Sequence, residues 1–126
     1  MPLVRISLRR GKSAAHLAAL RNGIYAAMRD TFDVPERDRF ILIHQHEAEE
    51  FDCDPNYLGI ARSGDLVIVQ IACNDTRTVE QKQALYQRVV ENLAADPGLR
   101  PEDVFINLLE TAKQNWSFGN GIAQYA

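Results

Sequence analysis

Apolar residues recur along the chain with two different periods, and the switches between them mark out six elements. Leu3 to Leu8 is a short β run, followed by Leu17, Leu20, Ile24 and Met28 at helical spacing behind Ser13, a candidate N-cap. Phe40 to His46 reads as a second strand. The order then repeats. Leu66 to Ala72 is a strand, and Thr78 with Gln81 three residues later is a capping-box signature opening a helix that carries Leu85, Val89 and Leu93. Val104 to Leu109 closes the series.

Laid over each other, the halves match element by element. Leu3-Val4-Arg5-Ile6 lies over Leu66-Val67-Ile68-Val69, Leu20, Ile24 and Met28 over Leu85, Val89 and Leu93, and Asp38-Arg39-Phe40-Ile41 over Asp103-Val104-Phe105-Ile106, at offsets that drift only from 63 to 65. Apolar strands and amphipathic helices look alike in many proteins, so agreement across three successive elements is what carries the repeat. A strand, helix and strand with short connections makes a right-handed parallel crossover, and two such units make a four-stranded sheet with both helices on one face. This predicts one α/β (α+β) domain over residues 1–126, a tandem βαβ repeat with halves of about 1–60 and 61–126. Leu66 to Val69 and Phe40 to Ile43 are apolar on both sides, so the face without helices is expected to pack on other subunits.

Composition narrows the class. The chain is 46% hydrophobic and 25% charged with a net charge of −3, ordinary values for a folded domain. Its 14 Lys and Arg are scattered, which argues against a nucleic-acid surface. Apolar runs are too short for a membrane span, and Met1-Pro2-Leu3-Val4-Arg5 is not a secretory leader, so a cytoplasmic protein is expected. Cys53 and Cys73 form no CxxC pair and read as free thiols.

Pro2 is the first candidate for chemistry. Aminopeptidases remove an initiator Met before a small residue, which would expose a secondary amine. An α-amino group starts near a pKa of about 8 and is lowered by apolar walls or cationic neighbours, giving a neutral base at physiological pH. Many proteins carry proline at this position without using it. Here it leads straight into a strand, which would fix its nitrogen as a catalytic group requires. Asn115-Trp116-Ser117-Phe118-Gly119-Asn120-Gly121 interleaves aromatics with glycines, as suits a loop closing an apolar wall over a small substrate, and Trp116, Phe118 and Tyr125 are the candidate lining residues. The same aromatics would equally complete a core or a subunit contact. Ser117 lacks the Gly-x-Ser-x-Gly setting of a nucleophile elbow. His44 and His46 share a strand face, but no second ligand pair has metal-site spacing, so no metal is expected.

The Met-Pro-Leu start running into a strand, the doubled βαβ unit, the Asp33 to Phe40 segment Asp-Val-Pro-Glu-Arg-Asp-Arg-Phe, and Trp116-Ser117-Phe118-Gly119 together resemble the tautomerase superfamily, and within it the malonate semialdehyde decarboxylase-like group. The resemblance implies the tautomerase fold, a homotrimer, no cofactor, and Pro2 at the floor of a pocket near a subunit boundary. It makes Asp38 the acidic residue that orients or activates water or substrate. Asp38 and Asp103 both stand just before a strand, so a turn or cap suits them too. The family often clamps a substrate carboxylate with arginines after the third strand. The matching positions here are Ala72 and Asn74. Arg77 remains as the carboxylate holder or as a solvated surface residue, with backbone N–H groups of the second helix as possible help and Asn74 as a further substrate contact.

Two chemistries follow from this set. With Pro2 as base, Arg77 would hold a small 2-oxo acid by its carboxylate, Asp38 would assist, and keto–enol proton transfer results. With Pro2 protonated, the site favours decarboxylation or hydration of a three-carbon β-oxo acid such as malonate semialdehyde, the cation stabilising the enolate. A trimeric binding protein that lost its chemistry with the arginine pair is the non-catalytic alternative.

Overall fold

The computed structural model describes residues 2–126; Met1, whose removal would free the amine of Pro2, lies outside them. Four strands and two helices alternate as two βαβ units: β1 (Leu3–Arg9), α1 (Ala14–Phe32), β2 (Ile41–His46), then β3 (Val67–Asn74), α2 (Val79–Ala95) and β4 (Val104–Thr111). The order across the sheet is β2-β1-β3-β4, with β1 parallel to β2, β3 parallel to β4 and the units joined by the antiparallel pairing of β1 with β3.

Both predicted caps form. Ser13 accepts from the His16 N–H at 3.1 Å. Thr78 and Gln81 bond reciprocally at 3.0 and 3.2 Å, the capping box read from the sequence. Alternation along the central strands sends Val4, Ile6 and Leu8, with Val67, Val69, Ile71 and Cys73, into one core with Leu20, Ile24 and Met28 of α1 and Leu85, Val89 and Leu93 of α2. The two sets of buried residues are those the repeat superimposes. The helices pack tightly at Gly23, where a Cβ would lie 2.9 Å from Leu93 Cδ2, and Asn92 donates to the Gly23 carbonyl there at 2.9 Å.

The uncovered sheet face is less apolar than the sequence reading held. Leu42, Phe105 and Leu109 are exposed on it, but Arg5, Gln70 and Asn107 stand in register across its middle, with Gln70 donating to Asn107 at 3.4 Å. The four-residue stretches were too short to show this alternation. Asp103 is buried and accepts from the Ser63 N–H at 2.7 Å and hydroxyl at 2.6 Å, so it ties the loop before β3 to the start of β4 rather than capping a turn of its own. No helix among the described residues is long and apolar enough to cross a membrane.

Candidate active site

The register of the central strands decides which residues meet. Leu3 pairs with Ala72, so one step outward Pro2 stands beside Cys73 and the C-terminal end of β3. There Asn74 pairs with Thr111 at the end of β4. On the other side the Val4 N–H donates to the Phe40 carbonyl at 2.9 Å, which brings the Asp38–Phe40 approach to β2 against the same end. The start of β1, the start of β2 and the ends of β3 and β4 therefore form one rim of the sheet.

Each side chain on that rim has an identifiable support. Pro2 is buried. Cys73 is buried too, and desolvation pushes its thiol pKa up, making it an apolar wall rather than a nucleophile. Asp38 sits in a loop pinned to α1: the Tyr25 hydroxyl donates to the Pro35 and Glu36 carbonyls, the Asp38 N–H donates to the Pro35 carbonyl at 3.1 Å, and Arg39 donates to Asn22 at 2.6 Å. Burial raises the Asp38 pKa above the ordinary carboxylate value, and Arg77 is among the positive charges that oppose the shift.

Arg77 leaves the end of β3 and folds back over the last residue of α1. Its Nη2 donates to the Phe32 carbonyl at 3.0 Å, and its Cζ lies 4.8 Å from the Phe32 ring centroid. The guanidinium is thereby fixed, and among the described residues the Phe32 carbonyl is its one hydrogen-bond acceptor. The first turn of α2 offers less help than expected, because the capping box already takes the N–H groups of Thr78 and Gln81.

The C-terminal segment closes the rim. Trp116 donates from Nε1 to Asn74 Oδ1 at 2.8 Å, stacks with Phe118 at 5.4 Å, and Phe118 meets Tyr125 edge-on at 4.9 Å. Gln124 ties the intervening turn, accepting from the Phe118 N–H at 3.0 Å and donating to the Gly119 carbonyl at 3.1 Å. Positive φ at Gly119, Asn120 and Gly121 makes that turn possible.

The predicted lining residues fall on two cavities rather than one. Asn74, Thr76, Arg77, Lys113 and Tyr125 line a cavity of about 460 Å³, while Leu3, Phe40, Asn115, Trp116, Ser117 and Phe118 line a neighbour of about 340 Å³. The Trp116–Asn74 hydrogen bond and the Phe118–Tyr125 contact join them. Neither Phe40 nor Lys113 was among the site residues expected from the sequence. Phe40 looked like the start of a strand, and Lys113 carries no motif; its one signal is its place two residues beyond Thr111. His44 accepts or shares a hydrogen bond with Arg5 Nη1 at 3.1 Å, and His46 lies against Phe51 at 5.8 Å. Among the described residues, no group of three His, Cys, Asp or Glu stands where it could hold a metal.

Comparison with known proteins identifies the family. Two family models, both described as tautomerase enzyme, match residues 38–119 and 2–60. The probable tautomerase YusQ of Bacillus subtilis (strain 168) is 42% identical over 98% of this chain and 98% of its own. A malonate semialdehyde decarboxylase, studied for the structural basis of its decarboxylase and hydratase activities, superposes with a TM-score of 0.91 at 32% identity, covering 98% of this chain and 95% of that one. The FG41 malonate semialdehyde decarboxylase inhibited by 3-bromopropiolate gives 0.90 at 34% identity, covering 98% and 93%. The chain belongs to the tautomerase superfamily, close to its malonate semialdehyde decarboxylase-like group, and is an enzyme of the isomerase and lyase chemistry found there. The non-catalytic alternative is set aside.

The raised Asp38 pKa has a consequence for stability. A carboxyl with a folded-state pKa above its unfolded one stabilises the fold below the ordinary carboxylate range, and that contribution is lost as pH rises through the raised value. At neutral pH the charge is a cost. Asp38→Asn should therefore melt higher than wild type at neutral pH, with the gap closing on acidification. A thermal unfolding series across pH checks this; a gap independent of pH, or of opposite sign, contradicts burial as the dominant influence.

Proposed function

We propose that this enzyme decarboxylates a small β-oxo acid of the malonate semialdehyde type, with Pro2, Arg77 and Asp38 as its working groups and Asn74, Trp116, Phe118 and Tyr125 shaping the site. The observation that carries the reading is the likeness, at 32% and 34% identity along nearly the whole chain, to two malonate semialdehyde decarboxylases. The rim geometry supports it. Arg77 holds the substrate carboxylate and orients its bond to the methylene carbon across the plane of the carbonyl. That C–C bond then breaks, CO₂ leaves, and the electron pair passes into an enolate whose oxygen faces the protonated amine of Pro2. A proton returns to carbon to give the aldehyde. Asp38 positions the water or proton that completes the cycle, while the aromatic walls keep bulk solvent out.

A second reading rests on the 42% likeness to a probable tautomerase. With a neutral Pro2, the same carboxylate grip serves proton transfer between an enol and its ketone. The two readings separate in one assay, using protein whose mass confirms loss of Met1. Malonate semialdehyde should yield acetaldehyde and CO₂, and Pro2→Ala or Arg77→Ala should each lower kcat/KM by about 100-fold or more. Inertness towards malonate semialdehyde with fast ketonisation of phenylenolpyruvate would hand the assignment to the second reading. Full activity in Pro2→Ala would remove the amine from both.

We further propose that the working form is a homotrimer. The support is the sheet face that no helix covers, where Leu42, Phe105 and Leu109 are 45%, 42% and 49% exposed. Light scattering should give three times the 14.2 kDa chain mass. A monomer at micromolar concentration would contradict the assembly.

A further inference from the structure

The cavity that holds Arg77 carries a second cation. Lys113 follows β4 by two residues and Arg77 follows β3 by three, and the two strands are locked in register immediately before them by the Asn74–Thr111 pair. The Asp75 N–H bonds the Thr111 carbonyl at 3.2 Å, Asn115 Nδ2 donates to the Thr111 hydroxyl at 2.7 Å, and the Asn115 N–H reaches the Ala112 carbonyl at 3.0 Å. Both loops are thus tied at their roots and deliver their charges to the same space, lined also by Asn74, Thr76 and Tyr125.

None of these five lining residues is a carboxylate. Among the described residues neither Arg77 nor Lys113 takes part in an ion pair, whereas nearby Lys82 is held by Glu110 at 2.6 Å. Two like charges sharing one cavity repel each other, and a ligand that brings a negative group to each turns that repulsion into attraction. A single carboxylate must be shared between the two cations, whereas a ligand with two anionic groups gives each its own partner. The cavity of about 460 Å³ lies within the range of small-molecule sites.

We infer that Lys113 is a specificity-determining residue and that the preferred substrate is an oxo acid with two anionic groups, one held by Arg77 and the other by Lys113. The inference rests on the assignment of the Arg77 cavity to the substrate, and it narrows that assignment from small oxo acids to diacids. Tyr125, on the same wall, supplies a hydroxyl donor to the second group.

Oxaloacetate is at once a β-oxo acid and a diacid, so it is the dianionic probe beside malonate semialdehyde. The bond between its methylene carbon and the β-carboxylate breaks, CO₂ leaves, and the resulting enolate takes a proton from solvent to give pyruvate. Replacing a charged hydrogen-bond donor costs about 10- to 100-fold. Lys113→Ala should lower kcat/KM for oxaloacetate by that factor, and by at least about tenfold more than for malonate semialdehyde. Lys113→Arg should restore most of the difference. Equal losses for the two substrates, or none, would overturn the inference.

A binding measurement keeps this separate from the proposed reaction. In NMR titrations the wild type should bind succinate more tightly than propanoate, and Lys113→Ala should lose that preference. If neither oxo acid is turned over but the preference and its loss are seen, the reaction assignment fails and the diacid site stands. If decarboxylation proceeds and succinate shows no preference, the diacid site fails alone.

Discussion

The antiparallel pairing of β1 with β3 sets the position of every group at the candidate site. Val4, Ile6 and Leu8 on one strand, and Val67, Val69 and Ile71 on the other, are buried to within 2% exposure. A slip of one residue would turn either set out of the core, so the hydrophobic pattern itself holds the register. With Leu3 fixed against Ala72, the chain start has one place to go: beside Cys73, at the ends of two parallel strands whose loops carry Arg77 and Lys113. Ligands commonly bind where parallel strands end, because the loops leaving there diverge and open a crevice.

The duplication makes the two ends of the sheet similar, and chemistry depends on where the likeness breaks. Asp38 and Asp103 occupy matching places before β2 and β4. Asp103 spends both oxygens on Ser63 and is part of the fold. Asp38 lies near Arg77, in surroundings that raise its pKa. At one end stands Pro2, the proposed catalytic amine; at the other, Asp65 occupies the matching position, with its carboxylate paired to Lys12. A repeated unit thus yields one end that carries the candidate site and one whose matching residues are spent on structural contacts.

Much of this was legible in the sequence because it rests on local chemistry and period. Ser13, Thr78 and Gln81 act within one turn of their own positions, and the superimposed Leu20, Ile24, Met28 and Leu85, Val89, Leu93 all face the core. Strand ends were read short, since Arg9, Asn74 and Thr111 are polar and carry no apolar signal, although each is paired in the ladder. The polar band of Arg5, Gln70 and Asn107 depends on register across three strands and has no linear signal. Lys113 was invisible for the same reason: only the pairing of Thr111 with Asn74 places it near Arg77. The division of the aromatic residues between two cavities depends on the Trp116–Asn74 hydrogen bond, a contact over 42 positions.

The central claim is that the sheet holds the amine of Pro2 against a substrate gripped by Arg77. A secondary amine and an aldehyde lose water to form an iminium ion, which cyanoborohydride reduces to a stable tertiary amine. Protein lacking Met1 should be treated with malonate semialdehyde and cyanoborohydride and mapped by peptide mass. The account predicts that Pro2 is labelled ahead of the lysines and that Arg77→Ala removes this preference. Labelling no faster at Pro2 than at surface lysines, or a preference indifferent to Arg77, would contradict it.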